Sequence, residues 1–170
     1  MKYTLSEPKI ETRAEQFYVS ILAKTSMQHM GEILPPLWKD VLGFLVSKDL
    51  KQTGAPFWRY RIINMEGEYQ IEVGVPIAQT AKGEGRFLAS SFPAGQYLTA
   101  LYTGDVTDKG LYFATEEFLA WAEKQGIQWD AWDAPEGHAW AARTEFYLTN
   151  PAEEKDTSKW QTELAFKIKD

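Results

Sequence analysis

The order of elements in this chain repeats, and that repetition is its strongest constraint. Strand-like runs at 9–13 and 16–24 precede a helical stripe of Leu34, Leu37, Trp38, Val41, Leu42 and Leu45, and strands at 57–63 and 69–75 follow. A second series runs in the same order: strands at 87–92 and 96–103, a helix carrying Leu111, Ala114, Phe118, Trp121 and Ala122, then strands at 137–149 and 160–168. Pro35 and Pro36 sit near the start of the first helix, where a missing amide donor costs least, and Ser26 marks an earlier turn that bends into it. Gly126 stands where a left-handed residue ends the second helix, and Gly67 where a tight turn at 64–68 takes positive φ. Within the repeat, Ile71-Glu72-Val73-Gly74-Val75 parallels Thr162-Glu163-Leu164-Ala165-Phe166.

These features predict an α+β fold built as a tandem repeat of two strand-strand-helix-strand-strand units about a pseudo-twofold. The helices are expected outside, with a ligand groove between the halves lined by the opposite sheet faces. The whole chain, 1–170, is read as one domain, with repeat one at about 8–78, a polar linker at 79–86 and repeat two at about 87–169. Small residues at Gly74 and Ala165 are expected to leave room in the groove.

Composition narrows the functional classes. A net charge of −6 without a Lys/Arg cluster argues against nucleic acid as a direct partner. With no Cys, disulfides, thiolate metal sites and Cys nucleophiles are excluded. His29 and His138 have no metal-ligand spacing, and no cofactor or metal is expected. The N-terminus lacks the apolar run of a signal peptide and no stretch reaches membrane-span length, so a cytoplasmic protein without a membrane partner is expected.

The segment Arg143-Thr144-Glu145-Phe146-Tyr147-Leu148-Thr149 alternates as a half-buried strand. Thr144, Phe146 and Leu148 are expected to face the core and Arg143, Glu145 and Tyr147 the groove, placing a carboxylate about 7 Å from a phenol along one face. That pairing suits a flat cation, and it equally suits a solvated strand face. Phe57, which shares a face with Arg59, is a candidate wall. Glu163 is divided between groove and solvent, and Tyr102 and Tyr112, flanking the start of the second helix, are further candidates to reach the ligand in the groove, Tyr102 fitting the core as well. Trp38 and Trp121 lie on helix stripes and read as core, and the acidic 130–136 segment as an exposed loop or a lid.

The run from Arg143 to Pro151 with Trp160-Gln161-Thr162-Glu163-Leu164, together with Leu34-Pro35-Pro36-Leu37-Trp38, Pro93-Ala94-Gly95-Gln96-Tyr97 and Thr103-Gly104, resembles the GyrI-like small-molecule-binding domain, also called the AraC-type effector-binding domain. The likeness extends over nearly the whole chain. It implies a stand-alone protein that senses or sequesters flat hydrophobic compounds, cationic ones among them, in a central cleft. It also places the family's acidic ligand contact at Glu145. The alternatives that it implies are a hydrolase of strained electrophilic toxins, working through a groove carboxylate in an aromatic cage, and a module that binds a protein such as gyrase. Regulators of this family carry a helix-turn-helix segment ahead of the domain, whereas here the first strand begins almost at Met1, so direct DNA binding is not expected. An ion pair of Glu145 with Arg59 or Arg61 is the competing structural role for that carboxylate.

Overall fold

The computed structural model describes residues 2–170. The chain folds as an α+β structure in which antiparallel strands form one extended sheet beside two long helices. The elements run β1 (Tyr3–Leu5), β2 (Lys9–Arg13), β3 (Gln16–Thr25), the single turn α1 (Met30–Ile33), α2 (Pro35–Ser47), β4 (Phe57–Ile63), β5 (Tyr69–Pro76), β6 (Phe87–Phe92), β7 (Gly95–Gly104), α3 (Gly110–Lys124), β8 (Ala131–Ala134), β9 (Gly137–Trp140), β10 (Arg143–Tyr147) and β11 (Gln161–Lys167). The sheet follows the order β1-β7-β11-β10-β4-β5-β3-β6, with β2 added on β7 and the β8–β9 hairpin joining β4. Each first strand of the sequence repeat thus lies against the other repeat: β2 pairs with β7, and β6 with β3.

Local chemistry explains most boundaries. Leu34 ends α1 and begins α2, and the prolines occupy the first turn of α2, where no amide partner is lost. Its buried face is Val41, Phe44 and Leu45, while Leu42, expected on the stripe, is exposed. Leu111, Ala114, Phe118 and Ala122 recur at three and four and seat α3 on β7 and β11. Burial of a ring such as Phe118 contributes about 1.5–3 kcal/mol. Gly126 takes the left-handed φ of 72° expected after α3, whereas Gly67 does not adopt positive φ.

Three readings of the sequence need correction. The expected strand 137–149 is broken: from Arg59 to Ile62 β4 advances three residues while its partners recede five, from Thr144 to Ala139. The two extra residues leave the ladder at Ala141 and Ala142, whose backbone groups instead bond Asp130, Arg59 and Lys167. The acidic 130–136 segment forms the β8–β9 hairpin rather than a loop.

The third correction concerns the faces. Register aligns Ile21, Val73, Trp58, Glu145, Leu164 and Ala100 in one row across the sheet, and both helices pack on that face. Ser20, Gly74, Phe57, Phe146 and Glu163 form a row on the other face. The helices therefore do not lie opposite the Glu145 side, as expected, but on it.

The second face has its own core of Tyr18, Phe57, Phe92, Tyr97, Ala142 and Ala165. Next to it a buried network joins four strands. Glu72 accepts from Ser20 Oγ at 2.7 Å, Tyr18 OH at 3.0 Å and Arg61 at 3.2 Å, and Arg59 Nε lies 3.9 Å away. Arg59 also donates to Tyr18 OH and to the Ser91 and Ala141 carbonyls.

Gly74 does not leave a void. A Cβ there would lie 2.5 Å from Val19 O and 2.7 Å from the Phe57 ring, so the aromatic already fills the space. Gly74→Ala is expected to lower stability by about 1–3 kcal/mol through overpacking, read as a reduced urea midpoint at unchanged slope. A wild-type midpoint would show that β3 and β5 are not packed this closely.

Candidate ligand-binding site

On the helix face β10 presents Glu145 and Tyr147, because residues two apart share a side of a strand. Glu145 is 7% exposed, and its Oε1 accepts hydrogen bonds from Tyr147 OH at 2.6 Å and Tyr60 OH at 3.0 Å. Beside this carboxylate stand two more rings. Trp38 of α2 stacks on Trp58 of β4 with centroids 5.7 Å apart, and Tyr147 meets each of them edge-on at 5.4 Å. Trp38, Trp58 and Tyr147 are all partly exposed, so the cage reaches the surface. Trp58 Nε1 is buried without a hydrogen-bond partner.

Burial dominates the electrostatics and pushes the Glu145 carboxyl above the usual carboxylate range, against the two phenol hydrogen bonds and the neighbouring Arg143 charge. The same burial, together with the Glu145 charge, drives the Tyr60 and Tyr147 phenols well above theirs. Arg143 is lowered by desolvation, and its guanidinium lies over the Trp140 and Phe166 rings at 4.8 Å. The expected pairing of Glu145 with Arg59 or Arg61 does not occur. Arg59 is in register with Thr144 rather than Glu145, so both arginines turn to the other face and meet Glu72.

That other face holds a cavity of about 430 Å³ bordered by Arg13, Glu15, Phe92, Thr144, Phe146 and Glu163. Thr144, Phe146 and Leu148, expected in the core, are its walls. Arg13 Nη2 bridges Glu163 Oε1 at 2.9 Å and Glu11 Oε2 at 2.8 Å.

The residues singled out in the sequence are thus dispersed. Glu145 and Tyr147 share the cage. Glu163 lies across the sheet, beside the cavity, and Phe57 packs in the core of that face. Tyr102 is fully enclosed beneath α3, its hydroxyl donating to Asp105 O. Tyr112 is an exposed residue of α3, edge-on to Phe113 at 5.5 Å. Trp38, Trp58 and Tyr60 were missed as neighbours of Glu145. The signal for Trp58 and Tyr60 was the pairing of β4 with β10, a long-range register that no local pattern carries. Among the described residues no cluster of three His, Asp or Glu is placed to hold a metal ion.

A raised carboxyl pKa has a defined consequence for stability. The folded chain holds the Glu145 proton more tightly than the unfolded chain does. The resulting stabilisation is fully present below the unfolded pKa and is lost as pH rises through the folded one. Glu145→Gln carries no such proton and is expected to lose less melting temperature than wild type over that window. Parallel curves for the two proteins in a pH series of thermal melts would assign the proton elsewhere.

Comparison with known proteins follows the same outline. The fold matches the EcmrR C-terminal domain with a TM-score of 0.72 at 18% identity, covering 99% of each chain. It matches EcmrR in its DNA complex with a TM-score of 0.71 at 18% identity, covering 98% of this chain but only 57% of that one. It also matches SAV2435 bound to tetraphenylphosphonium, with a TM-score of 0.61, 15% identity and coverage of 96% and 94%. At these identities the likeness shows the fold alone. No curated protein matches the sequence. The GyrI-like small molecule binding domain model, however, matches residues 6–169, and the chain belongs to that family.

Proposed function

We propose that the protein binds flat hydrophobic cations at the Glu145 cage, as a sensing or sequestering module. The observation that carries this reading is a buried carboxylate whose hydrogen bonds come from two phenols, beneath a stacked Trp38–Trp58 pair that reaches the surface. A planar cation between such rings gains stacking and cation–π attraction, and a carboxylate in a poorly hydrated site adds a charge-assisted contact. SAV2435, a structural neighbour, binds tetraphenylphosphonium, a hydrophobic cation, which supports the same class of ligand here.

The groove is read as lying at a pseudo-twofold between the repeats. Exchanging β2, β3, β4 and β5 with β6, β7, β10 and β11 reverses the strand order, and β4 meets β10 at its centre, beside Glu145. Hydrolysis of a strained electrophile is the second reading, favoured by the short Tyr147–Glu145 hydrogen bond, which suits proton transfer. Glu72 and Glu163 both face the other way, so Glu145 works without either carboxylate, and binding is the stronger reading.

The deciding experiment titrates wild type and Glu145→Gln with acridine orange, a planar cation, and with acridone, a neutral relative. The substitution should weaken acridine orange by about 1–3 kcal/mol and acridone far less. Wild-type affinity for the cation should also rise with pH through the raised Glu145 pKa, and the variant should show no such rise. Equal losses for both compounds, or none for the cation, would remove Glu145 as the charge sensor.

A further inference from the structure

The cavity opposite the cage has the features of a built site rather than a packing defect. Its volume of about 430 Å³ suits a small ligand. Phe92 and Phe146, with ring centroids 5.5 Å apart, border it as an aromatic wall. Thr144 borders it too at 1% exposure, and its hydroxyl has no hydrogen-bond partner. A buried unpaired hydroxyl is costly unless something supplies the missing bond.

The charged residues of the lining are Arg13, Glu15 and Glu163. Arg13 is already held by Glu11 and Glu163, so the free electrostatic capacity there is negative. An anionic ligand would have to displace one of those carboxylates, whereas an ammonium group would meet Glu163 and Glu15 directly.

We propose that this cavity is a second small-molecule site, specific for compact aromatic amines. The ring packs on Phe92 and Phe146, an inner polar atom bonds the Thr144 hydroxyl, and the ammonium sits at the mouth between Glu163 and Glu15. Thr144 pairs with Ala165 and Phe146 with Glu163, so Thr144 and Glu163 are diagonal neighbours, about 7–8 Å apart at Cα. The indole N–H and side-chain ammonium of tryptamine bridge such a span. The site shares no side chain with the Glu145 cage and stands whether or not that cage binds cations.

Tryptamine and indole-3-propionate, the same ring with opposite charge, are titrated into the full chain and followed by amide chemical shifts. Tryptamine should move the amides of Ala14, Glu15, Gly54 and Ala55 at the cavity, and indole-3-propionate should bind far more weakly. Thr144→Val removes the hydroxyl at constant shape and should weaken tryptamine about five- to tenfold without lowering the melting temperature. Ala55→Phe, which fills the mouth from a partly exposed position, should abolish binding if Thr144→Val proves unstable. Glu145→Gln should leave the tryptamine affinity read at these cavity amides within about twofold, whatever it does at the cage, which separates the two sites. Shifts confined to the Trp38 and Trp58 indoles would overturn the proposal. So would undiminished binding in both cavity variants, or equal affinity for the two indoles.

Discussion

One antiparallel register, with Glu145 opposite Trp58 and Thr144 opposite Arg59, decides the electrostatics of this molecule. Side chains alternate along a strand, so this pairing fixes which face each charge occupies. A slip by one residue would carry Glu145 to Arg59 and form the ion pair that the sequence also allows. The observed register instead sends both arginines of β4 to Glu72 and leaves Glu145 among phenols and indoles.

The two buried carboxylates show what that separation achieves. Glu72 is surrounded by Arg59, Arg61, Tyr18 and Ser20, and its network ties β3, β4 and β5 to the Ser91 carbonyl of β6. Removing either partner of such a pair strands a charge, at a cost of about 3–5 kcal/mol, which makes the network a clamp on the sheet. Glu145 has no comparable cation in hydrogen-bond contact; its polar partners are neutral hydroxyls. The two carboxylates thus sit on opposite faces of the sheet, Glu72 on β5 and Glu145 on β10, with β4 between them.

Much of this was legible in the sequence because it is local. The strands at 57–63 and 87–92, the prolines opening α2 and the left-handed Gly126 follow from side-chain periodicity and backbone sterics. The alternation of residues 143–148 was read correctly as well. What that alternation does not reveal is which side the helices cover, and so the apolar set was placed in the core when Phe146 and Leu148 border a cavity. Trp38 read as a core residue on a helix stripe, yet it becomes a lid over Glu145 because α2 lies on the β10 side. The interruption at Ala141 and Ala142 was equally hidden, since two alanines satisfy a strand pattern and only the β4 register shows that they do not pair.

If the cage binds cations as proposed, the raised pKa of Glu145 would bear on its selectivity as well as on stability. Below the raised pKa a neutral ligand would meet a protonated carboxyl and gain only stacking, because ionising the group in a dry site has no compensation. A cation gains the full charge interaction but must first drive off the proton, at about 1.4 kcal/mol for each pH unit by which the pKa exceeds the surroundings. Discrimination therefore grows as pH rises toward the raised pKa and levels off above it, where the carboxylate is already ionised. Well below that value the cage would be a neutral aromatic slot with little preference between the two classes. On the proposed reading, a single proton would shift the site from a general hydrophobic binder to a cation-selective one, because β10 delivers one carboxylate, without a cation bonded to it, beneath the Trp38–Trp58 stack.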